Sequence, residues 1–291
     1  LWSNSMFNLT QALPSVSSDV ADFAVASGAY FPTQLPTVLA LEHAYNASDL
    51  WVGARATSNL FLKRMPELQK EFETAGVKWV APYTSGTFQW HMNGDWKGPE
   101  SLQGKVGRTM GGARQEWYKK LGLKPVFMSI TDVYQAMERS TISGFENTLN
   151  LTNDLKLYEV AKTAVMFNSG VVMSTATIMN LKKFNALSKK DQQILLDTGV
   201  DWGENVIARA LYDKEKRAVE EWKTKKINVV YPPAEQIAQM RKIAREAAMD
   251  LAKAQDAKMG PNGMAVKAVT VLWDEVDKAE QELKTKGHPW K

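Results

Sequence analysis

The chain contains no cysteine, only three histidines, and no apolar run of the length a membrane span requires. Without cysteine there is no disulfide, no thiolate metal site and no thiol nucleophile. The spacing of His43, His91 and His288 builds neither a zinc site nor, by itself, a Ser-His-Asp triad. Each histidine reads as a structural or surface residue. The glycines of Gly104-Lys105-Val106-Gly107 and Gly111-Gly112 match neither a Walker loop nor the dinucleotide fingerprint, so no cofactor is expected. Blocks of one charge are scarce too. The 36 Lys and Arg residues outnumber the 32 Asp and Glu by four, but they are interleaved with them. The densest basic stretches, 182–190 and 223–226, lack the aromatics that stack on bases. Nucleic acid is therefore not an expected partner, although a small positive excess helps to draw in an anionic solute.

What is present is ordinary globular material: 291 residues, 44% hydrophobic and 23% charged, enough for two lobes or one large α/β unit. Residues 19–26 read as a buried strand, broken by the loop Gly28-Ala29-Tyr30-Phe31-Pro32. Leu60, Phe61, Met65, Leu68 and Phe72 recur at helical spacing over 59–75, with Gly76 as the stop before a strand at 77–83. A strand at 105–110, a helix at 112–121, a strand at 124–128 and a helix at 133–139 follow. Strand alternating with helix makes the class α/β. The β-branched stretch 167–178 suits a strand. Ser188 then opens an unusually long helical pattern reaching about Lys225. A short strand at 227–231 and amphipathic helices at 234–258 and 263–286 close the chain.

The chemistry narrows to Arg108, at the C-terminal end of a strand and followed by Thr109-Met110-Gly111-Gly112. That end of an open α/β sheet faces the ligand crevice, and a guanidinium fork matches a carboxylate with two parallel hydrogen bonds. Taken alone, such an arginine reads as a surface or ion-paired residue.

The neighbouring motifs add to it. Ser101-Leu102-Gln103-Gly104-Lys105-Val106-Gly107-Arg108, then Leu121-Gly122-Leu123-Lys124-Pro125-Val126, Asp132-Val133-Tyr134-Gln135-Ala136-Met137 and Ser143-Gly144-Phe145-Glu146-Asn147 resemble, in order and spacing, the central signature of DctP-type solute receptors. These are the solute-binding proteins of tripartite ATP-independent periplasmic (TRAP) transporters. Leu157-Tyr158-Glu159-Val160-Ala161-Lys162 and Asp19-Val20-Ala21-Asp22-Phe23 extend the likeness. The resemblance implies a two-lobed periplasmic-binding-protein-like fold, a long helix spanning both lobes and a hinge that closes on a ligand. It implies no catalysis, a periplasmic location, a mostly monomeric state, and as partners a small carboxylate and the TRAP membrane subunits. The carboxylate-binding arginine falls on Arg108 and the ligand-contacting asparagine on Asn147.

Departures shape the expected ligand. Ser143, Phe145 and Thr148 replace the usual Asp, Gln and Pro. The second arginine of sialic-acid binders is absent, with Phe88-Gln89-Trp90-His91 in its place, so a smaller or more apolar acid is expected. Tyr30, Trp90 and Phe145 are candidate pocket aromatics, and Met173 is a candidate from its position in the second crossing strand. Residues 1–85 with 173–213 are expected to form one lobe and 86–172 with 214–291 the other. Family members begin with a further strand, helix and strand, so the first lobe is expected to lack its N-terminal strands, and no signal peptide is expected in this chain. The competing readings are an α/β lyase or isomerase acting on an acid, with Glu146 as its base, and a sensor domain on the same fold.

Overall fold

The computed structural model describes residues 6–290. The strands are β1 (Phe23–Ser27), β2 (Val77–Pro82), β3 (Phe88–Met92), β4 (Val106–Thr109), β5 (Lys124–Phe127), β6 (Gly144–Thr148), β7 (Thr163–Val165), β8 (Thr175–Asn180) and β9 (Asn228–Val230). They form two sheets, one per lobe: a three-stranded sheet in the order β1-β8-β2 and a six-stranded sheet in the order β5-β4-β6-β3-β7-β9. In the first sheet β8 runs antiparallel to both neighbours. In the second, β5, β4 and β6 are parallel, which brings their C-terminal ends to one edge. The chain passes to the second sheet after β2, returns between β7 and β8, and passes over again within a long helix. Among the described residues no helix is long and apolar enough to cross a membrane.

That helix was legible in the sequence. Ser188 caps it, its hydroxyl accepting from the Asp191 amide at 3.1 Å. Lys189–Asp201 is α-helical, Trp202–Ile207 widens into a π turn, and Ala208–Thr224 resumes the α-helix. The first half lies so close to β2 that a Cβ on Gly199 would fall 2.7 Å from the Val80 carbonyl oxygen, and one on Gly203 2.5 Å from that of Pro82. The second half packs on the helix Leu149–Asp154 of the other lobe and buries Trp222 beside Leu149 and Ala164. One rod therefore seats both lobes.

Elsewhere the sequence reading needs correction. The helix expected over 59–75 begins earlier, as Leu50–Asn59, with Asp49 accepting from the Trp51 and Val52 amides at 2.8 and 3.3 Å. It is interrupted at Met65, because Pro66 lacks an amide donor and biases the residue before it away from helical backbone. Of the strand expected over 167–178 only the last part forms, as β8. The crossing segment before it is satisfied by side chains rather than by a ladder: Asn46 bonds both the amide and the carbonyl of Val171, at 3.0 and 2.7 Å, and Glu42 accepts from the Ser174 amide at 3.3 Å.

The division into lobes also shifts. Helix Ala234–Met259 packs on the helix Ala113–Lys120 of the second lobe, with the Trp117 indole donating to the Met240 carbonyl at 3.0 Å. Helix Ala265–Lys286, expected in the same lobe, instead lays Ala265, Val269, Leu272 and Val276 into the core of the first, against Leu50–Asn59. An amphipathic stripe fixes that a helix is buried on one side, and says nothing of which core receives it.

Candidate functional site

Arg108 lies near the C-terminal end of β4, between β5 and β6, and is 1% exposed. Its Nη1 donates to the Glu146 carbonyl at 2.7 Å and its Nε to that of Met128 at 3.3 Å, while Nη2 is 3.5 Å from the Met110 sulfur. These contacts are all to uncharged atoms. Among the described residues no carboxylate lies within ion-pair distance of it. Burial pushes the guanidinium below its ordinary pKa, opposed by Tyr30 and by the Glu146 charge.

A second arginine, unforeseen in the sequence, does the structural work beside it. Arg114, in the first turn of Ala113–Lys120, donates through Nε to Glu42 and through Nη1 to Glu146, both at 2.9 Å, and all three side chains are fully buried. Nη1 also reaches the Ser169 hydroxyl at 3.2 Å and Nη2 the Val171 carbonyl at 3.3 Å, and the guanidinium lies 4.2 Å from the centre of the Phe88 ring. Glu42 belongs to the first lobe, where its Oε2 accepts from the Ser174 hydroxyl at 2.8 Å. Glu146 belongs to the second, where its other oxygen accepts from the Met110 amide at 3.3 Å. The triad ties the lobes together at the cleft. Burial raises the Glu42 carboxyl, partly offset by Arg114; burial alone would depress Arg114, yet Glu146 and Glu42 hold it above its ordinary value.

Strand register decides which expected site residues meet. Arg108 is level with Phe145, whose partner across β3 is His91. Trp90 pairs with Glu146, on the opposite face, because successive side chains alternate. There Trp90 is core: its ring packs 5.2 Å from Tyr118, and a Cβ on Gly107 or Gly144 would strike it at 2.6 and 2.8 Å. Phe145 is also core, stacked 5.0 Å from His91 among Ile130, Val133 and Met137. Met173 is buried in the first lobe with Val171 and Ala176. The structure therefore places Trp90, Phe145 and Met173 in cores rather than facing the cleft. Asn147 is one strand from Arg108, but its amide nitrogen donates into the lobe to Thr152 Oγ1 at 3.1 Å, and that hydroxyl is 3.2 Å from His91 Nε2. Burial lowers His91 to about 3, so it is neutral.

Tyr30 is the candidate that does reach Arg108. It ends the turn Gly28–Tyr30 after β1 and meets Phe127, the last residue of β5, with ring centres 5.4 Å apart. Phe127 went unnoticed in the sequence, where a strand-terminal aromatic gives no sign of meeting Tyr30 across the molecule. The hydroxyls of Thr109 and Thr148, at the ends of β4 and β6, are buried without a hydrogen-bond partner among the described residues.

The crossing segment before β3 carries a titratable latch. Glu215, on the long helix, accepts from the Thr87 amide at 2.6 Å and lies 3.2 Å from its hydroxyl through each oxygen. Gly86 runs past it at φ +100°, where a Cβ would fall 2.5 Å from Glu215 Oε1. Burial pushes Glu215 up to about 7 from an ordinary 4.5, against the Thr87 hydrogen bonds. Between those values the folded state binds the extra proton. The group's favourable contribution is therefore complete below about 4.5 and is lost as pH rises to about 7. Glu215→Gln, which keeps the acceptor and removes the charge, is expected to flatten this part of the stability curve, so that its melting temperature exceeds that of the parent more at pH 8 than at pH 5.

Residues 2–255 match the model of the bacterial extracellular solute-binding proteins, family 7 (DctP). A solute-binding protein of Sulfitobacter sp. (strain NAS-14.1) is 26% identical over 193 residues, 65% of this chain and 56% of that protein. The sialic acid-binding periplasmic protein SiaP of Vibrio cholerae is 30% identical over 144 residues, 49% of this chain and 42% of that protein. The chain thus spans about half the length of the curated relatives it matches. Among solved structures, a TRAP solute binding protein from Rhodoferax ferrireducens in complex with copurified benzoate superposes with a TM-score of 0.81 at 16% identity, covering 94% of this chain and 84% of that one. The periplasmic ectoine-binding protein of the TeaABC TRAP transporter of Halomonas elongata gives 0.78 at 18% identity, covering 94% and 87%. One from Desulfovibrio salexigens with bound orotic acid gives 0.81 at 20% identity, covering 95% and 86%. With a family model matched over most of its length and a two-lobed fold shared with these structures, the chain belongs to the DctP family of bacterial extracellular solute-binding proteins.

Proposed function

We propose that this chain is the extracytoplasmic solute receptor of a TRAP transporter, which takes a small organic acid by its carboxylate in the periplasm and delivers it, as a monomer, to the membrane subunits. The observation that carries the reading is the state of Arg108: a buried guanidinium whose polar contacts are two backbone carbonyls, a thioether and the Tyr30 hydroxyl, with no carboxylate paired to it. A buried charge without a counter-ion is costly, and the group that relieves it best is a carboxylate accepting two parallel hydrogen bonds. With the lobes apart, the acid enters beside the ends of β4, β5 and β6 and Arg108 takes its carboxylate. Asn147 turns its amide from Thr152 to the same group, and closure about the Glu42–Arg114–Glu146 triad excludes water. The bound benzoate and orotic acid of two similar structures agree in chemistry with such a ligand.

An enzyme reading needs a free general base within reach of the acid. Glu146, the residue that would serve, has both carboxylate oxygens engaged, one by Arg114 and the other by the Met110 amide. The test is a thermal-shift screen of organic acids followed by recovery of the ligand. A true ligand at about a hundred times its Kd adds about 2.7 kcal/mol to stability and is recovered chemically unchanged. Conversion of the acid into a product would overturn the receptor reading.

A further inference from the structure

We infer that the chain carries a second binding site, apart from Arg108, which holds a small α-amino acid with an uncharged side chain by both ends: its carboxylate by Arg241 and Arg245, its ammonium by Asp277 and Glu280. The site is a cavity of about 120 Å³ between helix Ala234–Met259, helix Ala265–Lys286, residues 45–48 and Asn168 of the crossing segment. None of the residues that meet Arg108 lines it. One buried water needs about 10–15 Å³ of such space, so the cavity takes a molecule of several heavy atoms.

Three observations carry it. The first is that opposite charges are kept on opposite walls. Arg241 and Arg245 are one turn apart on their helix and lie side by side. Each rests over a ring instead of against a carboxylate: Arg241 is 5.5 Å from the centre of the Tyr45 ring and Arg245 5.1 Å from that of Trp273. Among the described residues neither guanidinium has a hydrogen bond or ion pair. Asp277 and Glu280 line the same space from the other helix, and Glu280 spends one oxygen on the Ser48 hydroxyl, at 3.0 Å. A simple anion would meet those carboxylates and a simple cation the arginines, like charges at short range in either case. A zwitterion answers both walls, and its carboxylate accepts the charge-assisted bonds that the arginines offer. Its two ends use all four charged groups, which leaves none for a charged side chain.

The second is rigidity. The Trp273 indole donates to His43 Nε2 at 3.1 Å, and burial lowers His43 to about 4, so that nitrogen stays an acceptor and the ring under Arg245 is fixed. The ring under Arg241 packs edge-on against Trp117 at 5.5 Å, while the Tyr45 amide donates to the Ser169 carbonyl at 2.7 Å. Asn168 exchanges two hydrogen bonds with Gln89, at 2.7 and 2.9 Å. Tyr45 and Asn168 both have positive φ, +55° and +46°, uncommon for a tyrosine, and backbone held in that region gathers at ligand clamps.

The third is an unused donor. The Tyr45 hydroxyl is buried without a hydrogen-bond partner among the described residues, and burial holds it well above its ordinary pKa, so it stays a neutral O–H beside the Arg241 charge. A buried donor of this kind is costly until an acceptor reaches it. Both arginines are exposed, so a ligand reaches them from solvent.

The experiment is calorimetric titration of L-alanine, acetate, ethylammonium and sulfate into the full chain and into Arg108→Ala, whose cleft no longer takes a carboxylate. L-Alanine is expected to bind both proteins alike, within about twofold and with a Kd below about 1 mM, and the other three to bind Arg108→Ala at least about tenfold more weakly. In the Arg108→Ala background, Arg241→Gln with Arg245→Gln is expected to weaken L-alanine by at least about tenfold. Asp277→Asn should weaken it by a similar factor while tightening acetate. These three positions are exposed, and circular dichroism checks that each variant is folded. Tyr45→Phe, which keeps the ring and removes the unused donor, should weaken L-alanine about threefold. No saturable binding of L-alanine, or binding unmoved by loss of the arginine pair, overturns the site. Acetate or sulfate binding as tightly as L-alanine and indifferent to Asp277→Asn overturns the amino-acid assignment. Either result leaves the receptor reading standing, because Arg108 takes no part in this site.

Discussion

Arg108→Ala is expected to weaken binding of the acid by about two to four decades, since removing one member of a desolvated charge pair costs on the order of 3–5 kcal/mol. Its effect on the free protein should have the opposite sign. The guanidinium lies buried against two carbonyls, a sulfur and the Tyr30 hydroxyl, without a carboxylate, so its removal relieves a desolvation that no counter-ion offsets. Thermal unfolding without ligand should therefore show stability held or raised while calorimetry shows binding lost. Arg108→Lys should also fail, because an ammonium cannot keep the Met128 and Glu146 carbonyls and still offer a planar fork. Affinity near that of the parent in either variant would refute the clamp.

Arg114→Met carries the second large effect, on stability. Glu42 and Glu146 both direct a carboxylate oxygen at this guanidinium from fully buried positions, at 2.9 Å each. Without it, two carboxylates share a dry space with no cation between them, and the loss is expected to be about 3–5 kcal/mol in urea unfolding. The triple replacement Arg114→Met with Glu42→Gln and Glu146→Gln should recover much of that loss, because a neutral trio leaves no unpaired charge. A single-variant loss below about 1 kcal/mol would mean that the triad does not hold the lobes.

The two arginines show where sequence reading reached its limit. Arg108 was found because it ends a strand inside a run of motifs whose order resembles a known signature. Arg114 sits in an ordinary amphipathic helix, and nothing along the chain says that Glu42, 72 positions before it, and Glu146, 32 positions after it, converge on it. The same holds for the aromatics. Trp90, Phe145 and Phe127 all lie in strands, and only the three-dimensional packing buries the first two in cores and leaves the third exposed against Tyr30. The elements followed a similar rule. β4, β5 and helix Ala113–Lys120 were legible because glycines punctuate an alternating pattern, whereas β3 and β6 were not, since all five residues of each are buried and a strand covered on both faces shows no alternation. Asn147 came from the resemblance, and the contact it makes, to Thr152, is one that a motif cannot foresee.

The long helix has a consequence for how wide the mouth can open. Because each lobe is bolted to a different half of one rod, any gape must be absorbed along that rod or at the two crossing segments. A π turn such as Trp202–Ile207 is where a helix bends at least expense, its carbonyls already reaching one residue further than usual. Bending of the rod is then expected to concentrate in these six residues, well away from Arg108 along the chain.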